Sequence, residues 1–263
     1  MFYFLLSSTQ VQVRFGLLVG IGGGIPELGA DIRLGDVAVS QPTGSSGGVV
    51  QYDLQKVKKG EEVERKDFLN KPPKVLLSAL SNIQAKHRRK KFRVPAILRE
   101  IETRNPEMFT SQPGEPGYNY QGFENDKLFD PSYEHTYGKD CSDCDLKKIL
   151  KRDPRPVPEN PKVHYGTIAS GNTLVKGATA RTELIRHIPG GCICYKIEAA
   201  GLMNNFPCLV IRGISDYADS HKNDRWQPYA AATAAAFAKE LLGYVPAGQL
   251  EAMPKAVDVI KDS

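Results

Sequence analysis

Apolar positions along this chain fall into short continuous blocks and a few helical stripes, which together predict strands alternating with helices. Phe15 to Ile21 is a continuous apolar and glycine block of the kind that fills a strand buried on both faces, with Gly22-Gly23-Gly24 and Pro26 expected to break it. A second short strand is expected at Val37 to Val39, and the turn-rich Pro42 to Gly48 leads into a third at Val49 to Tyr52. Pro72-Pro73 then opens a helix whose Leu76, Ala79, Leu80, Ile83 and His87 recur at helical spacing, with Pro73 suited to its first turn. Later, Val163 to Ser170 and Cys192 to Ile197 read as strands, Ala178 to His187 as a helix between them, and a short helix begins near Glu198. The run Leu209 to Ile211 heads a buried strand over Cys208 to Ile214, and the alanine-rich Tyr229 to Leu242 predicts a strong closing helix. The pattern is α/β, one domain over residues 1–263 with a C-terminal tail at 245–263 and no internal repeat.

From Asn105 to Pro161 the periodicity fails, and Pro, Gly, Tyr, Asn and Asp take over. A stretch of that length without a core pattern is an insertion, and its Tyr118, Tyr120, Phe123, Phe129, Tyr133 and Tyr137 point to packing against the body.

Composition narrows the class further. With 263 residues and 41% hydrophobic content, the chain can bury a large core, yet it has no apolar run near the roughly 18–20 residues a membrane span needs. Met1 to Leu6 is apolar but lacks a basic leader and runs through Gln10, Gln12 and Arg14 toward the first strand, so no targeting segment is read. Five cysteines, an odd number, favour reduced thiols and a cytoplasmic setting. The formal charge is +5, but Lys56 to Arg104 alone holds fifteen Lys and Arg against six acids. Within that region Lys86 to Arg93 lacks interleaved aromatics, so it reads as a solvated helix end or an attractor of a polyphosphate tail, and nucleic acid is not an expected partner. Cys141-Ser-Asp-Cys144 has the spacing of half a zinc site, with His135 six residues earlier and no second half nearby. Cys192, Cys194 and Cys208 fall in expected strands as small hydrophobes, and no metal is assigned. His164, His187 and His221 have no evident partners and read as structural, while Trp226 and Tyr229 either cap a pocket or pack a helix.

Candidate chemistry concentrates where the buried strands stop. Asp216 and Asp219 follow the Cys208 to Ile214 strand, and ligands of open α/β folds sit at strand carboxyl ends, although Ser215-Asp216 equally suits a helix N-cap. Glu198 follows the preceding strand in the same way, eighteen residues earlier. If the two strands are neighbours, both carboxylates face one cleft and can divide labour between holding a substrate and moving a proton.

Five blocks then occur in order: Gly-Ile-Gly-Gly-Gly at 20 to 24, Asp31-Ile-Arg-Leu-Gly-Asp-Val-Ala-Val-Ser40, Ile168-Ala-Ser-Gly-Asn172, Ile197-Glu-Ala-Ala-Gly201 and Ile211-Arg-Gly-Ile-Ser-Asp216. Over roughly residues 14 to 244 the chain resembles the purine and uridine phosphorylase superfamily in a fungal-type form. It is most similar in pattern to the methylthioadenosine/adenosylhomocysteine nucleosidases and to the nucleosidase-like domains of fungal immune-receptor proteins. The resemblance implies a three-layer fold with a mixed central sheet flanked by helices, a purine nucleoside or nucleotide as substrate, a homo-oligomer, and no metal or organic cofactor. It also implies roles for single residues. Asp216 matches the acid that protonates or hydrogen-bonds purine N7, Ser215 the residue that orients it, and Glu198 the carboxylate that holds the ribose hydroxyls. Ser170, Gly171 and Asn172 match the base pocket, Gly22, Gly23 and Gly24 the close approach of main chain to ribose or nucleophile, and Ile197 and Arg212 flank the two acids in the substrate pocket. An acid at N7 answers the negative charge that develops on the leaving base, an effect typically of about 10²–10⁴-fold.

Two departures from the family pattern matter. Leu18 and Ile21 stand where phosphorylases place phosphate-binding arginine and serine, which favours hydrolysis over phosphorolysis. The upstream strand and loop that carry the nucleosidases' water-activating glutamate have no counterpart, since residues 1–12 contain no Asp or Glu. The chain is therefore expected to be N-terminally truncated relative to the family, and the alternative expectation is a non-catalytic nucleoside-binding or assembly module.

Overall fold

The computed structural model describes residues 13–26, 30–44, 46–52, 55–57, 63–65, 69–89, 91–135, 141–171, 177–186, 188, 190–197, 206 and 208–255, with backbone alone at 55–57, 63–65, 180, 184, 185 and 197. Strands β1 (Gly16–Gly24), β2 (Val37–Ser40), β3 (Val49–Gln51), β6 (Val163–Gly166), β7 (Ile168–Gly171), β8 (Cys194–Ile197) and β9 (Cys208–Asp216) build one mixed sheet in the order β3-β7-β8-β1-β9-β2-β6. Between β3 and β6 in sequence, β4 (Gln55–Val57) and β5 (Val63–Arg65) pair as a separate hairpin. The helices are α1 (Lys74–Arg88), α2 (Val94–Arg104), α3 (Pro106–Phe109), α4 (Ala178–Arg186), α5 (Gln227–Leu242) and α6 (Ala247–Glu251). The fold is thus α/β around a mixed sheet, as expected.

The helical stripe of α1 buries Leu76, Ala79, Leu80 and Ile83, and each such Leu or Ile contributes roughly 1.5–3 kcal/mol by leaving water. His87, on the same stripe, instead meets Glu240 of α5 at 3.2 Å. Helix α5 lies directly on β9, and only a glycine fits at Gly213, where a side chain would run into the Ala230 carbonyl. Ala230, Ala234 and Ala236 are fully buried, so the alanine-rich composition serves close helix-to-sheet approach as well as helix propensity.

Several expectations change. β1 does not stop at the glycines: Gly22 and Gly23 pair with Ile214 and Asp216 of β9, while Gly23 and Gly24 pair with Tyr195 and Cys194 of β8. β9 likewise runs on to Asp216 and so carries its acid on its last residue rather than in a helix cap. Val163 to Ser170 forms two strands with partners at opposite edges of the sheet, β6 beside β2 and β7 between β3 and β8. Helix α2 escaped the periodic reading because Arg99, Glu100, Glu102 and Arg104 mask its short buried stripe of Val94, Ile97 and Leu98. The helix expected near Glu198 lies outside the described residues.

Candidate active site at the end of strand β9

Parallel pairing brings the carboxyl ends of β1 and β9 side by side, and one residue too many on β9 shapes what stands there. The register shifts between Gly22 and Gly23, so Ser215 bulges out of the ladder and Asp216 falls opposite Gly23. Bulges of this kind re-aim side chains next to sites. Ser215 Oγ donates to Asp216 Oδ2 at 3.1 Å, the Ala218 backbone N–H donates to Asp216 Oδ1 at 2.8 Å, and Lys222 Nζ stands 3.5 Å from Oδ1. Ala218 accepts a left-handed backbone, φ 51°, to make its bond, a conformation costing a non-glycine residue roughly 1–2 kcal/mol. The carboxylate therefore has a fixed rotamer at the edge of a cavity of about 810 Å³, of the size that takes a nucleoside-sized ligand.

The segment between α3 and β6 lines that cavity too, through Gln121, Asn125, Lys127 and Phe129. A buried polar cluster holds this segment to the end of β9. Tyr217 Oη donates to Asp126 Oδ1 at 2.5 Å, Arg152 Nη2 donates to Tyr217 Oη at 2.9 Å, and Arg152 pairs with Asp126 at 2.9 Å. Burial raises the Asp126 carboxyl above its ordinary value despite Arg152, and burial with Asp126 beside it raises the Tyr217 phenol well above 10. Of the aromatic residues expected to pack on the body, Tyr120 packs edge-on against Trp226 and Tyr229, and Phe129 and Tyr133 stack on His221, while Tyr137 lies outside the described residues. Trp226 Nε1 donates to the Asn125 carbonyl and Tyr229 Oη to the Glu159 carbonyl, so these two residues hold α5 to the insertion.

Of the expected site residues, Ser215 and Asp216 line the cavity. Gly22, Gly23 and Gly24 lie behind them, and protein occupies the room their missing side chains leave. A Cβ at Gly23 would stand 2.8 Å from Asp216 Oδ1 and 2.7 Å from Ala218 Cβ, one at Gly22 would meet Cys194 Sγ at 2.8 Å, and one at Gly24 would meet Ile214 at 2.8 Å. Gly23 is thus what lets Asp216 take its place. Ser170 and Gly171 are buried on β7, with the Tyr52 ring lying across Gly171, and Arg212 is buried on β9 with its guanidinium over Gly20. Ile197 ends β8, while Glu198 and Asn172 lie outside the described residues. β8 and β9 are not neighbours, because β1 runs between them and antiparallel to β8. The adjacency on which the paired-carboxylate reading depended is therefore absent.

His164, read from sequence as without an evident partner, finds one 128 residues away in Asp36. Asp36, 1% exposed, accepts from the Arg33 backbone at 2.9 Å, from Arg155 Nη1 and Nη2 at 2.7 Å each, from the Lys162 backbone at 2.8 Å and from His164 Nε2 at 2.8 Å. Burial by itself would raise this carboxyl, but the Arg155 and His164 hydrogen bonds outweigh it and hold Asp36 below its ordinary value. Burial is also the largest single influence on Asp31 and raises it, but the hydrogen bonds and charges of Arg33 and Arg155 together outweigh it and lower this carboxyl to about 2. Asp219 accepts the His221 backbone N–H at 2.9 Å and supports the loop, while burial raises its carboxyl. His187 lies outside the described residues. Cys194 and Cys208 are raised by burial to about 12 and about 11, which suits inert core thiols. The basic residues Lys86, Arg88 and Arg89 are exposed at the end of α1, in keeping with a solvated helix end.

The structure thus defines an α/β fold with a cavity at the carboxyl end of a central parallel strand pair. No family model matches the chain. Over 237 residues, 90% of its length, the chain is 43% identical to a nucleotide-binding leucine-rich repeat (NLR)-like protein of Hyaloscypha variabilis, and it spans 22% of that relative's length. Among solved structures it is similar to the 5′-methylthioadenosine/S-adenosylhomocysteine nucleosidase of Neisseria meningitidis in complex with methylthio-immucillin-A (16% identity, 87% of this chain and 69% of that one, TM-score 0.46). It is also similar to the nucleosidase of Colwellia psychrerythraea in complex with adenine (16%, 89% and 68%, TM-score 0.47) and to futalosine hydrolase of Helicobacter pylori (16%, 88% and 68%, TM-score 0.44). No helix among the described residues is long and apolar enough to cross a membrane.

Proposed function

We propose that this chain binds a purine nucleoside or nucleotide in the cavity beside Asp216 and cleaves its N-glycosidic bond by hydrolysis. The observation that carries the reading is the Asp216 carboxyl itself, on the last residue of a buried parallel strand, oriented by Ser215 and the Ala218 N–H and lining a cavity of nucleoside size. The five ordered sequence blocks support the choice of substrate. As the bond from the sugar C1′ to the base nitrogen breaks, its electron pair goes to the base. Asp216 answers that charge in its protonated form, giving its proton to N7, while water adds to the cationic sugar carbon and its surplus proton returns through solvent to the Asp216 carboxylate. Ser215 is a positioning residue, since it acts through Asp216.

Incubation with adenosine, methylthioadenosine, inosine or ATP tests the reading by chromatography of free base. Release from at least one substrate, lost in Asp216→Asn, is expected; release that survives Asp216→Asn refutes the role of Asp216, and no release from any of the four refutes catalysis. A second reading, a nucleoside-binding module of a larger receptor-like protein, draws support from the match to 22% of an NLR-like protein. Calorimetry separates the two, because purine binding without turnover belongs to the module alone.

A further inference from the structure

The loop between Phe129 and Ile149 gathers chemistry that the nucleoside reading does not use. Sγ of Cys141, Sγ of Cys144 and a ring nitrogen of His135 all lie within 4.8 Å of one another. Ligand atoms of a tetrahedral zinc ion, with Zn–S near 2.3 Å and Zn–N near 2.0 Å, stand roughly 3.5–3.8 Å apart, so a small contraction closes this set on a metal. Cys141 and Cys144 sit on one turn, the Cys144 N–H donating to the Cys141 carbonyl at 3.4 Å. The turn is packed against Phe129, which leaves both thiols buried while Cys141 borders the cavity beside Asp216. His135 is held in place from outside its own loop, its backbone N–H donating to Ser220 Oγ at 2.9 Å.

The half-site seen in sequence lacked a fourth ligand, and the fold brings one from eighty residues further along the chain. His221 lies beside His135 with ring centroids 5.7 Å apart, and its carbonyl takes the Cys141 thiol at 3.8 Å. It is 7% exposed, and its Nε2 is buried with no hydrogen-bond partner among the described residues, a state that costs free energy unless something binds there. Its other nitrogen, Nδ1, stands 4.0 Å from the Asp219 carboxylate, beyond hydrogen-bond reach but near enough for a small shift of the ring to make the bond that orients a metal-ligating histidine. Two thiolates and two neutral imidazoles also cancel the charge of a divalent cation, so the ligand set and metal together carry no net charge.

We propose that Cys141, Cys144, His135 and His221 form a structural zinc site that ties the insertion to the loop following Asp216. The His221 ring closes onto the other three when the metal binds. The site stands independently of the nucleoside reading, because it needs neither Asp216 nor a substrate.

The test is metal analysis of the purified full chain, with about one zinc per chain expected, and background levels in the double variant Cys141→Ser/Cys144→Ser. Because buried serines can unfold the protein by themselves, His135→Ala provides a second test. His135 is only partly buried, and its loss should weaken zinc binding by more than about 10²-fold, measured by competition with a chromophoric chelator. Cobalt added to chelator-treated protein should give thiolate-to-cobalt charge-transfer bands and the intense visible bands of tetrahedral geometry. Background zinc with no cobalt charge transfer, a Cys141–Cys144 disulfide in the purified chain, or unchanged affinity in His135→Ala would overturn the site. Unchanged affinity in His221→Ala would overturn its fourth ligand.

Discussion

Replacing Asp36 by alanine should destabilise the protein by about 3–5 kcal/mol, the range found when one partner of a buried ion pair is removed. The structure explains why this position belongs in that range. Five donors converge on the carboxylate, two of them from the Arg155 guanidinium, whose side chain is itself only 7% exposed. Alanine leaves Arg155 with the half-exposed Asp31 as its remaining carboxylate and strips His164 and two backbone N–H groups of their acceptor. For a chain of this size each kcal/mol moves the melting temperature by roughly 2–4 °C, so a fall of roughly 6–20 °C is expected in calorimetry. Asn is no rescue, because its amide NH₂ would face at least two donors whichever way it turns. The pH dependence follows from the same geometry. Asp36 and Asp31 are lowered in the folded state, so their contribution is complete above the unfolded value near 4 and is lost as pH falls through the folded values, about 2 for Asp31. The wild type should therefore lose stability as pH falls below about 4 more steeply than Asp36→Asn. The reasoning fails if Asp36→Ala lowers the melting temperature by less than about 2 °C, or if Asp36→Asn and Arg155→Met prove additive in a double-mutant cycle.

Three further outcomes follow from close contacts. Gly213→Ala drives a methyl into the Ala230 backbone between β9 and α5, so it should cost about 3 kcal/mol or more and lower the denaturation midpoint without changing the m-value. Gly23→Ala forces Asp216 and Ala218 away from β1, and it should reduce any base release or purine affinity at least about tenfold while lowering stability by about 1–3 kcal/mol; full function in a folded variant would show that the place of Asp216 does not matter. Tyr217→Phe leaves Asp126 and Arg152 paired but removes the hydroxyl between them, at a cost of about 1–3 kcal/mol by chemical denaturation.

How much of the site was legible in sequence depends on how far apart its parts lie along the chain. Asp216 was visible because a continuous apolar run reports a buried strand and the acid follows it directly. Its orientation was not, because the bulge at Ser215 exists only in the register between β1 and β9, set by residues almost two hundred positions apart. The glycines at 22 to 24 looked like a strand breaker or a ligand cradle. Paired on both sides by β8 and β9, they are strand residues whose missing side chains make room for Cys194, Asp216 and Ile214. His164 and His221 looked solitary because their partners, Asp36, Asp219 and the Cys141 turn, are brought to them by other elements or by a loop.

By itself the sequence determined most of the strands and helices, since the spacing of apolar residues within one segment decides which face can leave water, although α2 and the β4–β5 hairpin escaped it. It determined the stripe of α1, the helical state of the alanine-rich α5 and the placement of an acid at the end of β9. Only the tertiary structure decided that β1 separates β8 from β9, that the insertion walls the cavity, and that Asp36 and the Cys141 turn each gather ligands from distant segments. Those outcomes depend on strand order and on burial of polar groups that must find partners once water is excluded, and no local pattern records which partner, many residues away, will satisfy them.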